Sequence, residues 1–329
     1  MRKLILITLL VLTACAPMRL IANENDVQLD PGVQYVNYII AASGTESDPL
    51  VIYGNSARVK CLTVKGNYVT VSNVVASGCS SHGILVTGKN VTIMNSLVYG
   101  NVTENGTGPC PGTGSWGSGI KGAVGAENLT VRGNTVYNNC GEGIAFTRVI
   151  GGLAEDNTVY DNFSVNIYVD NSNYIDILGN KTICTDSKFY RNGSPARGIT
   201  LAAENYSGWG FQFHDVLVER NLIEKCGGPR WYAPSFPTGQ GTSVTVRDNL
   251  FSGVPAPLVA LPAWVTVSNN VVVGTPTVVL ATKTPMAITP TAPTITRAPA
   301  TGTPTVTPTI TKVCYPVTVG GKYIGEFCP

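Results

Sequence analysis

Three stretches decide how this chain folds: NLTVRGN (128–134), GGLAEDN (151–157) and YIDILGN (174–180). They end on Asn134, Asn157 and Asn180, two equal steps of 23 residues. The first and third alternate apolar and polar residues, the pattern of a strand with one buried face. The same phrase recurs in both directions, as YVTVSNV and NVTIMNS before it, and as DVLVERN, SVTVRDN and WVTVSNN after it. Its last residues are Val74, Ser96, Asn134, Asn157, Asn180, Asn221, Asn249 and Asn270, in steps of 22, 38, 23, 23, 41, 28 and 21. A base period of 21–23 residues with three longer gaps reads as a solenoid carrying loop insertions. Each period holds a second short strand, GILV (83–86), GIK (119–121), GIAF (143–146), NIYV (166–169) and GITL (198–201). Short strands, Gly or Asn at the corners and no helical period predict an all-β chain, a parallel β-helix of about eight to ten coils. Asparagines at one register predict a hydrogen-bonded ladder between coils. A sandwich of hairpins would instead need turn signals every 8–12 residues and no long-range self-similarity.

Composition agrees. The 329 residues are rich in Gly, Val, Asn and Thr, and only 13% are charged. A formal charge of +2 with no basic stripe excludes a nucleic-acid partner. Met1-Arg2-Lys3, the apolar run 4–14 and Cys15 after Leu12-Thr13-Ala14 read as an export signal in 1–14, too short to span a bilayer. Leu-Thr-Ala-Cys resembles a bacterial lipobox, which implies lipidation of Cys15, a membrane anchor and a tether over 15–26. Eight cysteines remain for an oxidising compartment. Sequential pairing is the expectation: Cys61–Cys79, Cys110–Cys140, Cys184–Cys226 and Cys314–Cys328. The repeats occupy 27–274. Residues 275–312 are a Thr/Pro-rich spacer, and 313–329 read as a small hairpin closed by its own disulfide.

On these repeats, and on the entry phrase DVQLDPGVQYVNYIIAASGTESDPLVIYG, the chain resembles the right-handed parallel β-helix proteins of the pectate-lyase-like superfamily. The resemblance implies a right-handed coil, a monomer and a polysaccharide ligand. Superfamily members include polysaccharide lyases, glycoside hydrolases, epimerases and proteins with no established activity, so the reaction must come from the residues.

Taking Ile84, Ile120, Ile144, Ile167 and Ile199 as the buried reference, the following residues point outward: Leu85, Lys121, Ala145, Tyr168 and Thr200. Two positions before stand His82, Ser118, Glu142, Val165 and Arg197. Strict alternation turns these inward, yet a buried unpaired carboxylate is costly, so the corner is expected to turn Glu142 out. One position before stand Gly83, Gly119, Gly143, Asn166 and Gly198, where glycine leaves room for a ligand or serves the bend. The other strand carries Arg132 beside Glu155 and Glu219 beside Arg247, the pairs of a solvated face. The face of Glu142 mixes His, Lys, Glu, Asn, Tyr and Arg and is the candidate site. Trp116, Trp209 and Trp231 lie in inserted loops, where a ring can pack on a sugar.

A lyase abstracts the proton next to a uronate carboxylate whose charge is neutralised. Lys121 is the first candidate base and His82 the second, with Arg197 as the neutralising cation. Glu142 orients a base or binds a hydroxyl, and Asn166, Tyr168 and Asp170 bind the sugar beside Trp116, Trp209 and Trp231. No cofactor is required, and no metal ligands are assigned. Calcium is the one candidate, although Glu142 and Asp170 are too few oxygens for a strong site. A hydrolase needs two carboxylates; Glu142 is one, and Asp170, Asp161 or Glu204 the other. Cleavage of an acidic polysaccharide by β-elimination is the leading expectation, before hydrolysis and before a non-catalytic glycan-binding or structural surface module.

Overall fold

The computed structural model describes residues 19–20, 26–105, 110, 116–185, 190, 197–204, 213–227, 229–232, 242–254, 261–274, 315–319 and 322–327. Cys15, Trp209, the Thr/Pro-rich spacer and the Cys314–Cys328 pair lie outside them.

The repeat phrases stack into a ten-stranded parallel sheet that runs from Val27–Gln28 to Thr266–Ser268, one strand per coil. A 17-stranded sheet forms the rest of the coil wall. It consists of two ribbons that share the long strand Arg58–Val64, which pairs with Val75–Ser77 at one end and with Ile84–Val86 at the other. One ribbon climbs through Leu97–Tyr99, Thr135–Tyr137 and Thr158–Tyr160. The second climbs through Ser118–Gly122, Glu142–Thr147, Val165–Asp170, Arg197–Ala202 and Arg230–Tyr232 and carries the candidate site. Every pairing in the coils is parallel; Tyr315–Val319 and Lys322–Phe327 pair antiparallel.

Alternation fills the interior. Val69 and Val71, Val91 and Ile93, Leu129 and Val131, and Ile175 and Ile177 are buried in one continuous core, while the residues between them reach solvent. Each such side chain contributes about 1.5–3 kcal/mol by leaving water. Arg132 and Glu155 (3.9 Å) and Arg247 and Glu219 (3.1 Å) pair on the outer face, as the register predicts.

The asparagine ladder forms. Asn134 Nδ2 donates to Asn157 Oδ1 at 3.0 Å, Asn157 Nδ2 to Asn180 Oδ1 at 2.9 Å, and the chain continues through Asn221 and Asn249 to Asn270. Ser96 joins it through its backbone N–H, which donates to Asn134 Oδ1 at 2.9 Å. The tight corner itself is made one residue earlier, by Asn73, Asn95, Gly133, Asp156, Gly179, Arg220, Asp248 and Asn269, all with positive φ. Asn, Asp and Gly tolerate that left-handed conformation.

A second ladder, not expected from the sequence, lines the corner that leads into the site ribbon. Asn101 donates to Asn139, Asn139 to Asn162 and Asn162 to Asn166, at 2.9, 2.9 and 3.0 Å. Disulfides bracket it. Cys79 N–H donates to Asn101 below, and Asn166 Nδ2 approaches the sulfurs of Cys184 and Cys226 above. Three of the four expected disulfides are present, Cys61–Cys79, Cys110–Cys140 and Cys184–Cys226, with Cα atoms 4.9, 5.1 and 4.9 Å apart.

Candidate functional site

The second ladder explains which way Glu142 points. A Cβ built on Gly143 would lie 2.6 Å from Val159 Cγ1 and 2.7 Å from Asn162 Nδ2, both core atoms. Gly119 meets Val136 and Asn139 in the same way, and Gly83 meets Asn101. So Gly143 and Ile144 both face inward, alternation breaks at the corner, and Glu142 comes out beside Lys121. These glycines make room for the ladder rather than for a ligand. In the next coil that position is Asn166, whose side chain enters the interior and completes the ladder with no exposed surface. Assigning Asn166 to the sugar face is therefore wrong.

Across the first coils of the site runs a chain of hydrogen bonds. Ser118 Oγ donates to Glu142 Oε2 at 2.7 Å, and Ser118 N–H donates to His82 Nδ1 at 3.1 Å. Glu142 is only 5% exposed, and burial raises its pKa, against the lowering effects of the Lys121 charge and the Ser118 bond. Burial and then Lys121 lower His82 to about 4, so its ring is neutral at pH 7. Its Nδ1 already accepts a hydrogen bond from the Ser118 backbone N–H, which leaves Nε2 as the donor. The expectation that His82 is a reserve base does not fit this geometry; it positions Ser118 and, through it, Glu142.

One coil above Ala145 stands Tyr168, and Thr147 pairs in register with Asp170. Tyr168 OH donates to Glu204 Oε1 at 2.6 Å, while Asp170 Oδ1 accepts from Glu204 N–H at 3.0 Å and Asn171 Nδ2 at 2.8 Å. Burial, opposed by the Glu204 N–H and reinforced by the Glu204 charge, lifts Asp170 to about 7. Tyr168 is pushed far up by burial and by the Asp170 charge, and it stays a proton donor. Lys121 is felt by His82, Glu142 and Asp170, yet it makes no hydrogen bond or ion pair among the described residues. The small Ala145 lies in register between Lys121 below and Tyr168 above, with Glu142 and Thr147 on its own strand. The Thr147 hydroxyl is buried and has no partner among the described residues. The arrangement can take, hold and return protons around one bound group.

Other expected site residues are dispersed. Arg197 sits three coils above Lys121, about 14 Å along the axis at the usual strand spacing, so the two do not serve the same sugar ring. Trp231 continues the inward column of Leu201 and packs edge-on against Phe213 and Trp264 at 4.8 and 5.2 Å, so it closes the core and does not face a sugar. Asp161 is engaged by Thr185 and Tyr190, which donate to its two oxygens. Trp116 is 41% exposed, two residues before Ser118. Sequence reading passed over Ser118, Thr147 and Arg230. Treating PRWY as a strand with Trp231 inward would have brought Arg230 out. Among the described residues no three His, Cys, Asp or Glu side chains gather as a metal-ligand set, and the Asp170 and Glu204 carboxylates are engaged within the protein. No helix among them is long and apolar enough to cross a membrane.

Residues 52–207 match the family described as the right handed beta helix region. The coils are thus those of a right-handed parallel β-helix. No curated protein matches the sequence. Among solved structures, the chain is similar to the periplasmic alginate epimerase AlgG, with 13% identity over 69% of this chain and 51% of that one and a TM-score of 0.46. It is also similar to pectate lyase Pel9A, with 16% identity, 74% and 69% coverage and a TM-score of 0.49. PfbA, a surface adhesin of Streptococcus pneumoniae, gives 12%, 76% and 80%, and 0.41. This chain spans about half the length of the epimerase. Likeness at this level extends to the fold alone.

Proposed function

We propose that this β-helix is an exported enzyme that cleaves an acidic polysaccharide by β-elimination at the face formed by Lys121, Glu142, Tyr168 and Asp170. The observation that carries the reading is Lys121, which makes no ion pair among the described residues, whose charge reaches Glu142 and Asp170, and which has Tyr168 two coils above it in register. Lys121 takes the proton next to the uronate carboxylate. Tyr168 returns a proton to the departing glycosidic oxygen, and Glu204, already bonded to its hydroxyl, steadies it. Glu142 and Asp170, held toward their protonated forms by burial, donate to the uronate carboxylate and spread the charge that builds on it. Neutral acids beside Lys121, Arg197 and Arg230 also make the face hospitable to an anionic chain.

Hydrolysis is the second reading, favoured by the same two carboxyl groups, because a raised pKa is what a general acid needs near neutral pH. The purified chain is incubated with polygalacturonate, alginate and neutral glucans, following ultraviolet absorbance of unsaturated uronate and new reducing ends. Absorbance that disappears in Lys121→Gln supports elimination. Reducing ends without absorbance refute it in favour of hydrolysis, and silence with retained glycan binding refutes both. The three disulfides fit an oxidising compartment. Anchoring through Cys15 is tested by whether Cys15→Ser moves the protein from the membrane to the soluble fraction.

A further inference from the structure

In the coils above, Arg197, Thr200 and Arg230 lack a counterpart among the described residues. Arg197 and Thr200 share the strand Arg197–Ala202, and Arg230 lies directly over Thr200 in the next coil. Arg197 turns out for the same reason as Glu142: the Cβ of Gly198 would meet Ile223 and Thr182 on the inner side. Thr200 is 4% exposed, and its hydroxyl has no hydrogen-bond partner among the described residues. Both arginines are half-buried, and among the described residues neither guanidinium makes an ion pair or hydrogen bond. Burial together with the nearby Arg230 charge lowers the pKa of Arg197.

Two adjacent, partly desolvated cations and an orphaned hydroxyl are costly unless something anionic completes them. The neighbouring insertions do not bring that charge by composition. Residues 186–196, 205–212 and 233–241 contain one acid, Asp186, against Lys188 and Arg191. Guanidinium groups bind planar oxyanions through paired N–H donors, and a hydroxyl beside them adds a third donor.

We propose that Arg197, Thr200 and Arg230 form an anion subsite that holds the carboxylate or sulfate of a sugar further along the same glycan chain, about 14 Å from Lys121 at the usual coil spacing. The subsite rests on the reading that a glycan lies along this ribbon. It reads charge at a distance from the reaction, so it selects the substrate without taking part in bond cleavage.

The test uses calorimetric titration of the full chain carrying Lys121→Gln, so that no turnover intervenes. The probes are a galacturonate tetrasaccharide, its fully methyl-esterified form and a sulfated carrageenan tetrasaccharide. Binding of the first or third and not of the second is expected, and which of the two binds identifies the anion. Arg197→Gln and Arg230→Gln should each weaken that binding about tenfold or more and flatten its salt dependence. Thr200→Val, which keeps the shape of the side chain, should weaken it without lowering the unfolding midpoint, so that loss of binding is separable from loss of fold. Equal affinity for the methyl ester, arginine variants that bind as before, or no binding of either anion overturns the proposal. Arginine-dependent binding by a wild-type chain that never generates unsaturated ends removes the elimination reading and leaves this one standing. Elimination that survives both arginine substitutions with unchanged KM does the reverse.

Discussion

Replacing Gly143 by alanine tests the joint on which the site depends. The added methyl would lie 2.5 Å from Asn166 O, 2.6 Å from Val159 Cγ1 and 2.7 Å from Asn162 Nδ2. None of these is the loose end of a flexible side chain. Asn166 O is backbone, Val159 is fully buried, and the Asn162 amide is held by Asn166 Oδ1 and by the Val136 and Tyr160 carbonyls. Relief requires the strand to move out or the ladder to break. Overpacking costs about 1–3 kcal/mol, and a buried amide left unsatisfied about as much again, so a loss of about 2–5 kcal/mol is expected. With a urea slope of about 3 kcal/mol/M, the unfolding midpoint falls by about 1 M at unchanged slope. Gly78→Ala is the control. Its φ is +74° and no atom lies within 4 Å of the new methyl, so only backbone strain of about 1–2 kcal/mol applies. Urea unfolding followed by circular dichroism reads both. A Gly143→Ala protein as stable as wild type, or no less stable than the Gly78→Ala control, would refute the inward-facing corner and with it the outward placement of Glu142.

Other substitutions probe the site and its frame. Asp170 holds a proton up to about pH 7 in the folded chain and releases it near the ordinary aspartate value of 3.8 when unfolded, so its burial costs stability as pH rises through that window. Asp170→Asn, which has no proton to lose, should leave stability near pH 4 little changed and raise it at pH 8 by about 1–3 kcal/mol, read from urea midpoints at the two pH values. Ser118→Ala removes the bond that favours ionised Glu142, so the activity limb governed by Glu142 should move to higher pH; an unmoved pH–rate profile would separate Glu142 from the reaction. Opening Cys184–Cys226, which spans 42 residues, by a double Cys→Ser change should cost about 4 kcal/mol in unfolding free energy by the loop-entropy relation. Asn157→Leu strands the Asn134 amide, its backbone N–H and the Val131 carbonyl, and should cost about 3–6 kcal/mol, against about 1 kcal/mol for Asn270→Leu at the ladder's end.

The architecture was legible in the primary structure because a solenoid writes it many times. A strand that stacks on its own copy needs the same residue types at the same step, so Val131, Ile177 and Val246 announce one register and Asn134, Asn180 and Asn249 another. The inserted loops showed as longer steps, and chain order sufficed to pair Cys61 with Cys79, Cys110 with Cys140 and Cys184 with Cys226. The second ladder was less visible. Asn101, Asn139 and Asn162 follow a short ribbon strand, and the coil that ends in Asn166 breaks their spacing with a step of only 4 residues.

What only the tertiary structure decided is direction and distance at the site. Period 2 assigns a side chain to a face only while the strand stays regular, and here it fails at the corner that matters. Gly143 turns in, Glu142 turns out, and Asn166 leaves the surface for the interior because the neighbouring Asn162 amide needs an acceptor. Trp231 looked like a binding ring and instead closes the core, because its register partner is Leu201. Lys121 and Arg197 share a ribbon yet stand three coils apart, too far to serve the same sugar ring. The repeat thus determines by itself which strands stack, since stacking depends on residue type at a fixed step. Which groups meet depends on packing between coils, which no single strand encodes.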